Sequence, residues 1–349
     1  MDATHIGAFS TGQTDGFVAT QNQALAINTS DFTALTTTDI GAFTTTEVAG
    51  LTTTMLNNLS TTNIGVLSVP QVQALTSAQL NGLSTTEVGG LLNTQLGAFN
   101  ATQLNAFEVA SIVLLSSFQL NGLTSAQLAV LNTTNVEALT STQISALSTS
   151  QVRGFTSTGI SQFSVDDIGV LTSSALNALS TVQFRGLADT QLATLTTNQL
   201  QGVTAAQLGT LSTTVLQDLS ATVVADLSSV QLAGLSSAQI HGLAANQILA
   251  LTQTQISNLT SGQFSAFDTA QLGGLTSTQT SLLTTTQINT LTTAQFDALS
   301  NDVIATLTTT QIGGLTTSDI NVLDATDFAV LSSTQLRGFA STQFGALTT

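Results

Sequence analysis

Every eighth residue from Leu35 to Leu347 is Leu, Phe or Val, 40 positions in one unbroken register. A step this strict makes each octad one structural unit and makes all the units stack alike. An octad such as Leu35-Thr36-Thr37-Thr38-Asp39-Ile40-Gly41-Ala42 is too short to bury its own apolar residues. The chain must therefore fold as a quasi-one-dimensional stack in which each unit is covered by its neighbours. The same regularity favours a scaffold, because a catalytic site needs residues that depart from the pattern.

With the Leu/Phe as position 1, position 2 is Ser, Thr, Asn or Asp in 35 of 40 octads, the exceptions being Leu92, Glu108, Ala188, Ala244 and Ala340. Position 5 is Gln or Glu in 26 of 39 complete octads, and Asp or Asn in six more. Position 6 is Ile, Leu, Val or Phe everywhere except Thr280, and position 8 is mostly Ala or Gly. A hydroxyl residue followed three places later by Gln or Glu is the capping box of a helix N-terminus, and positions 1 and 6 are then the two residues of a hydrophobic staple. The single proline, Pro70, falls at position 4, in a first helical turn where no donor is lost.

These features predict an all-α solenoid of very short capped helices, one per octad, held only by the stacking of positions 1 and 6. Small residues at position 8 would let successive turns approach closely. A continuous helix is excluded, because eight residues at 100° leave a drift of about 80° per repeat. The alternative is a β-solenoid, since Thr, Val, Ile and Phe favour strands and Gly or Asn can turn corners. Against it, positions 1 and 6 are five apart and cannot both point inward from a flat strand.

At the N-terminus, Met1, Phe9, Phe17 and Leu25 keep the eight-residue step, but Thr14 and Asn22 put polar residues at position 6, and the register then jumps by two at Ile27. The expectation is N-terminal capping repeats over 1–34 and a continuous octapeptide-repeat solenoid over 35–349. The pattern runs on to Leu347-Thr348-Thr349 with no polar cap. Either the chain is a fragment of something longer, or this open end, a heterologous surface, docks on another copy, and end-to-end self-association is expected. Neither a signal peptide nor an apolar run long enough to span a membrane is visible.

Charged residues are only 6% of the chain, against roughly 25% in ordinary soluble proteins. There is no Lys, and three Arg stand against nineteen acidic residues, for a net charge of −16. That balance argues against nucleic acid as a partner, and equally against anionic membrane surfaces. With no Cys there are no disulfides, thiol chemistry or Cys-ligated metals.

The residues that could carry chemistry all have a plainer reading. Arg153, Arg185, Arg337, His241, Glu137 and Asp297 share position 7, which reads as the solvent face. His5 and His241 lie at opposite ends of the chain, with no partners nearby for a metal or an acid–base pair. In the pair Asp166-Asp167, Asp167 holds the capping position 5. Asp319 and Asp327 also sit at position 5 and Asp324 at the N-cap, so all three read as helix-start residues. The 16 Phe replace Leu in the core, apart from Phe118 at position 4. No catalytic, cofactor-binding or metal residue is singled out, and the chain is expected not to be an enzyme.

The octads Leu283-Thr284-Thr285-Thr286-Gln287-Ile288-Asn289-Thr290, Leu291-Thr292-Thr293-Ala294-Gln295-Phe296-Asp297-Ala298 and Leu235-Ser236-Ser237-Ala238-Gln239-Ile240-His241-Gly242 carry a resemblance. The chain resembles the Leu-Thr-x-x-Gln-Ile-x-Ala octapeptide arrays of very large bacterial surface or secreted adhesin-like proteins. The resemblance implies an extracellular, structural or adhesive role, and the first expectation is a structural protein, a rod or fibre subunit on or outside a bacterial cell. The alternative is a binding module whose Thr-rich polar face meets a surface or matrix ligand, a glycan or ice. It carries no haem site here, since His5 and His241 are the only imidazoles and there is no thiol.

Overall fold

A computed structural model describes residues 32–33 and 35–347. Among them are 39 helices of four to six residues, one per octad, and no strand. The β-solenoid alternative is thereby set aside. The octad bends between positions 1 and 6 by making a turn of helix, and both apolar residues come to the inside. The expected capping repeats over 1–34 lie outside the described residues, except for Phe32 and Thr33.

Each helix starts as the octad pattern dictates. In the octad from Leu75, Thr76 is extended at φ −78° and ψ 157°, and its hydroxyl accepts from the Gln79 amide. The first intrahelical bond runs from the Leu80 amide to the Thr76 carbonyl, 3.0 Å. The helix ends when the amide of the next position 1, Leu83, closes back on the Leu80 carbonyl at 3.3 Å. Extended backbone then leads into the next N-cap, Ser84. No described residue has a positive φ, so the turns need no left-handed glycine. Pro70 sits in the first turn of Val69–Ala74, where its missing donor has no intrahelical acceptor.

Positions 1 and 6 make the core. Leu56, Val72, Phe184 and Ile240 at position 6 are fully enclosed, as is Phe267 at position 1. Successive position 1 rings touch edge to face, Phe99 with Phe107 at 5.6 Å and Phe155 with Phe163 at 5.2 Å between centroids.

The chain divides into two compact units, Met1–Leu187 and Ala188–Thr349. Within each unit, helices pack on the third helix along the chain, as Thr45–Gly50 does on Val69–Ala74 in the first and Ala205–Leu208 on Ser229–Ala233 in the second. This close stacking explains the small residues at position 8. A β-carbon on Gly90 would lie 2.8 Å from the Thr61 Cα, and one on Gly234 would lie 2.7 Å from the Ala205 carbonyl oxygen.

Candidate functional site

The chemically distinctive feature of the molecule is a repeated carboxamide site at position 5. Gln79 is representative. Its Oε1 accepts from the Thr76 amide at 2.7 Å and the Thr76 hydroxyl at 3.0 Å, and its own amide donates to that hydroxyl at 3.2 Å. That is the capping box read from the sequence. The other half of the carboxamide was not legible there. Nε2 donates to the carbonyls of Leu51 at 2.7 Å and Val48 at 2.8 Å, 28 and 31 residues back.

Each such glutamine therefore caps its own helix and clamps the corner between the third and fourth octads before it. The geometry recurs at Gln143, bonded to Ile112 and Leu115, both at 2.8 Å, and at Gln247, bonded to Leu216 at 2.8 Å and Leu219 at 2.7 Å. One coil of each unit thus takes between three and four octads. A primary amide has two acceptor sites and two donors, and the clamp uses all of them in a buried place. Position 5 is glutamine 24 times and glutamate only twice, a preference the capping box alone does not require. That bias was the available sequence signal.

Shorter or acidic residues break the clamp in instructive ways. Asn63 reaches the Leu35 carbonyl at 2.8 Å, but its side chain does not return to the Ser60 amide. In the next such octad the Asn132 amide is taken by Asn105 Oδ1 from the coil below, at 2.7 Å. At Glu87, Oε2 accepts from the Ser84 hydroxyl and Asn57 Oδ1 takes the Ser84 amide at 2.9 Å. Glu47 keeps the box through Oε2, and its Oε1 is buried without a hydrogen bond. Where position 2 is Leu92, Ala244 or Ala340 there is no hydroxyl, yet the glutamine half survives: the Ala244 amide donates to Gln247 Oε1 at 2.8 Å.

The charged candidates are dispersed. Arg153, Arg185, Arg337, Glu137, Asp297 and His241 are all exposed, as position 7 predicted. His241 does more than face water: Nδ1 donates to the Ala266 carbonyl at 2.9 Å, 25 residues ahead. Gln73 makes the same upward link to Ala98 at 3.1 Å, so position 7 also ties coils together. His5 lies outside the described residues.

Asp166 is exposed, while Asp167 is buried in a capping box with Ser164 and accepts from the Ser141 hydroxyl at 2.7 Å. Asp319 caps with Thr316, and Asp324 accepts from the amides of Thr326 and Asp327. The Thr326 hydroxyl, and then those amides, hold the Asp324 carboxyl below its ordinary value of 3.8. Among the described residues no three acidic or histidine side chains come together as a metal site, and no helix is long and apolar enough to cross a membrane.

A fold of equivalent stacked units with one repeated internal bonding site defines a repeat-array protein. Residues 113–149 and 123–157 match the family model of the ALTTAQ repeat. No curated protein matches the chain.

Proposed function

We propose that this chain is a non-enzymatic structural protein, a rod or self-assembling fibre subunit that works outside the cell or at the bacterial cell surface. The observation that carries this reading is the recurrence of the position 5 clamp. The buried polar chemistry of the molecule goes into tying coil to coil, and the exposed charges are scattered singly. The scarcity of charge and the absence of Lys also suit a surface clad in neutral hydroxyls and amides.

Self-association is part of this proposal, because in a stack of equivalent units each coil is covered by the coils beside it and a second copy can supply one. Negative-stain electron microscopy of the purified chain across a concentration series tests this. Fibres that lengthen with concentration are expected, and separate particles at every concentration would overturn self-assembly.

A second reading, an adhesive module, is favoured by one segment. Val109, Val113, Leu114 and Phe118 are all exposed within ten residues of an otherwise polar surface. Monomers that adsorb to one surface or matrix material in the same experiment would select it. The ice-binding version loses its basis, because it needs flat threonine arrays on strands.

A further inference from the structure

The clamp is missing from three consecutive octads, those beginning at Phe155, Phe163 and Leu171, where position 5 is Gly159, Asp167 and Ala175. Three octads are most of one coil. On either side the clamps are in place: Gln151 reaches Leu120 and Leu123 at 2.8 and 2.9 Å, and Gln183 reaches Phe155 at 2.6 Å. By the same 28-residue spacing, the absent clamps would fall on the carbonyls of Leu131, Leu139 and Leu147. A polar tie of another kind, the Ser141 hydroxyl on Asp167, spans the gap. The helices Ser157–Ile160, Val165–Gly169 and Ser173–Ala178 still stack on Thr133–Glu137, Ser141–Ser145 and Thr149–Val152.

Burial marks the same place. From Leu51 to Leu187 every position 1 side chain is buried except Leu131, which is half-buried, and the next most exposed is Leu147 at 9%. Both lie opposite a position 5 that has lost its long side chain, at Gly159 and Ala175. The octads from Leu35, Phe43 and Leu51 also lack glutamine, but the coil they would clamp is outside the described residues. No other described run of coils goes so long without one.

We propose that the contact between residues 128–147 and 155–178 is a built-in seam, the place where the described part of the first unit opens before any other. Apolar stacking resists separation only at short range and without direction, whereas the carboxamide clamps are directional and bridge the coils wherever position 5 is glutamine. A coil held by stacking and one hydroxyl–carboxylate tie has the lowest local opening free energy among the described coils of the unit. Under heat or axial load the chain would part here and leave the clamped coils on either side intact. The inference concerns stability alone and stands whether or not the chain forms fibres.

Hydrogen exchange read by mass spectrometry on the full chain tests it. Peptides within 128–147 and 155–178 should exchange at least about tenfold faster than those within 91–123. Equal exchange, or slower exchange at the seam, would overturn the proposal. The gap can also be filled. A β-carbon at Gly159 meets nothing nearer than the Thr156 hydroxyl at 3.4 Å and Phe155 Cδ1 at 3.6 Å, ordinary contacts, so the backbone there accepts a β-carbon. Gly159→Gln with Ala175→Gln should bring the seam to the exchange rate of its neighbours, and unchanged exchange in the folded variant counts against the idea. The reciprocal variant, Gln119→Ala with Gln127→Ala, joins the existing gap at Ser111 to make three in a row. A new fast-exchanging stretch across 107–130 is expected, and its absence would refute the seam independently of the first variant.

Discussion

At position 5 a single side chain decides both where a helix starts and what lies beneath it. Gln103 donates to the carbonyls of Leu75 at 2.8 Å and Gln73 at 3.0 Å while holding the Asn100 amide at 3.0 Å. Gln103→Glu keeps the acceptor and removes both donors, leaving buried carbonyls unpaired. It should cost about 2 kcal/mol in a urea melt, more than the loss of an N-cap hydroxyl. The converse holds at Ala244, where the glutamine half of the box awaits a hydroxyl. Ala244→Ser should raise stability by about 1 kcal/mol. At Asp324 the folded carboxyl titrates below 3.8. A group depressed in this way stabilises the fold above its unfolded value, and that contribution is lost as the pH falls through the folded value. The stability difference between the wild type and Asp324→Asn should therefore narrow in melts below about pH 4.

An element of four to six residues lies far below the roughly 12 to 15 needed for a helix to persist alone in water. Capping satisfies its first amides, and the return to extended backbone after one turn limits its orphan carbonyls, but the free energy comes from stacking. Leu195, 4% exposed at position 1, should cost about 2–5 kcal/mol when changed to Ala. Thermal melts should show the remaining octads still folded. Glycines test the stacking from the other side. A β-carbon on Gly169, inside Val165–Gly169, meets nothing within 4 Å, so Gly169→Ala should stabilise by about 0.5–1 kcal/mol. One on Gly122 would collide with the Asn93 carbonyl, so Gly122→Ala should destabilise the fold and separate clearly from Gly169→Ala in the same melts.

Across a whole unit, register matters more than the identity of any octad. Because each clamp addresses a corner three to four octads away, removing one complete octad hands every clamp an equivalent corner. Deleting 243–250 from the second unit should preserve the far-ultraviolet circular dichroism per residue and leave a cooperative melt. Deleting 243–246 instead moves polar residues into positions 1 and 6 and should abolish that melt. Survival of the half-octad deletion would contradict the stacking account.

The octad pattern by itself determined the helical unit. Leu75, Thr76, Gln79 and Leu80 form cap, box and staple within six residues, and such short-range sterics and hydrogen bonds are written in sequence order. It also determined which side chains are core, since positions 1 and 6 alone are apolar in nearly every octad. Coil size, the second use of glutamine and the seam at Gly159, Asp167 and Ala175 were decided only in the tertiary structure. A bond from Gln79 to Val48 and Leu51 spans 31 and 28 residues, and no local rule fixes how many octads close a coil. That number is set where side-chain volumes at positions 1 and 6 fill the axis and the carboxamide nitrogen just meets the carbonyls of the coil beneath.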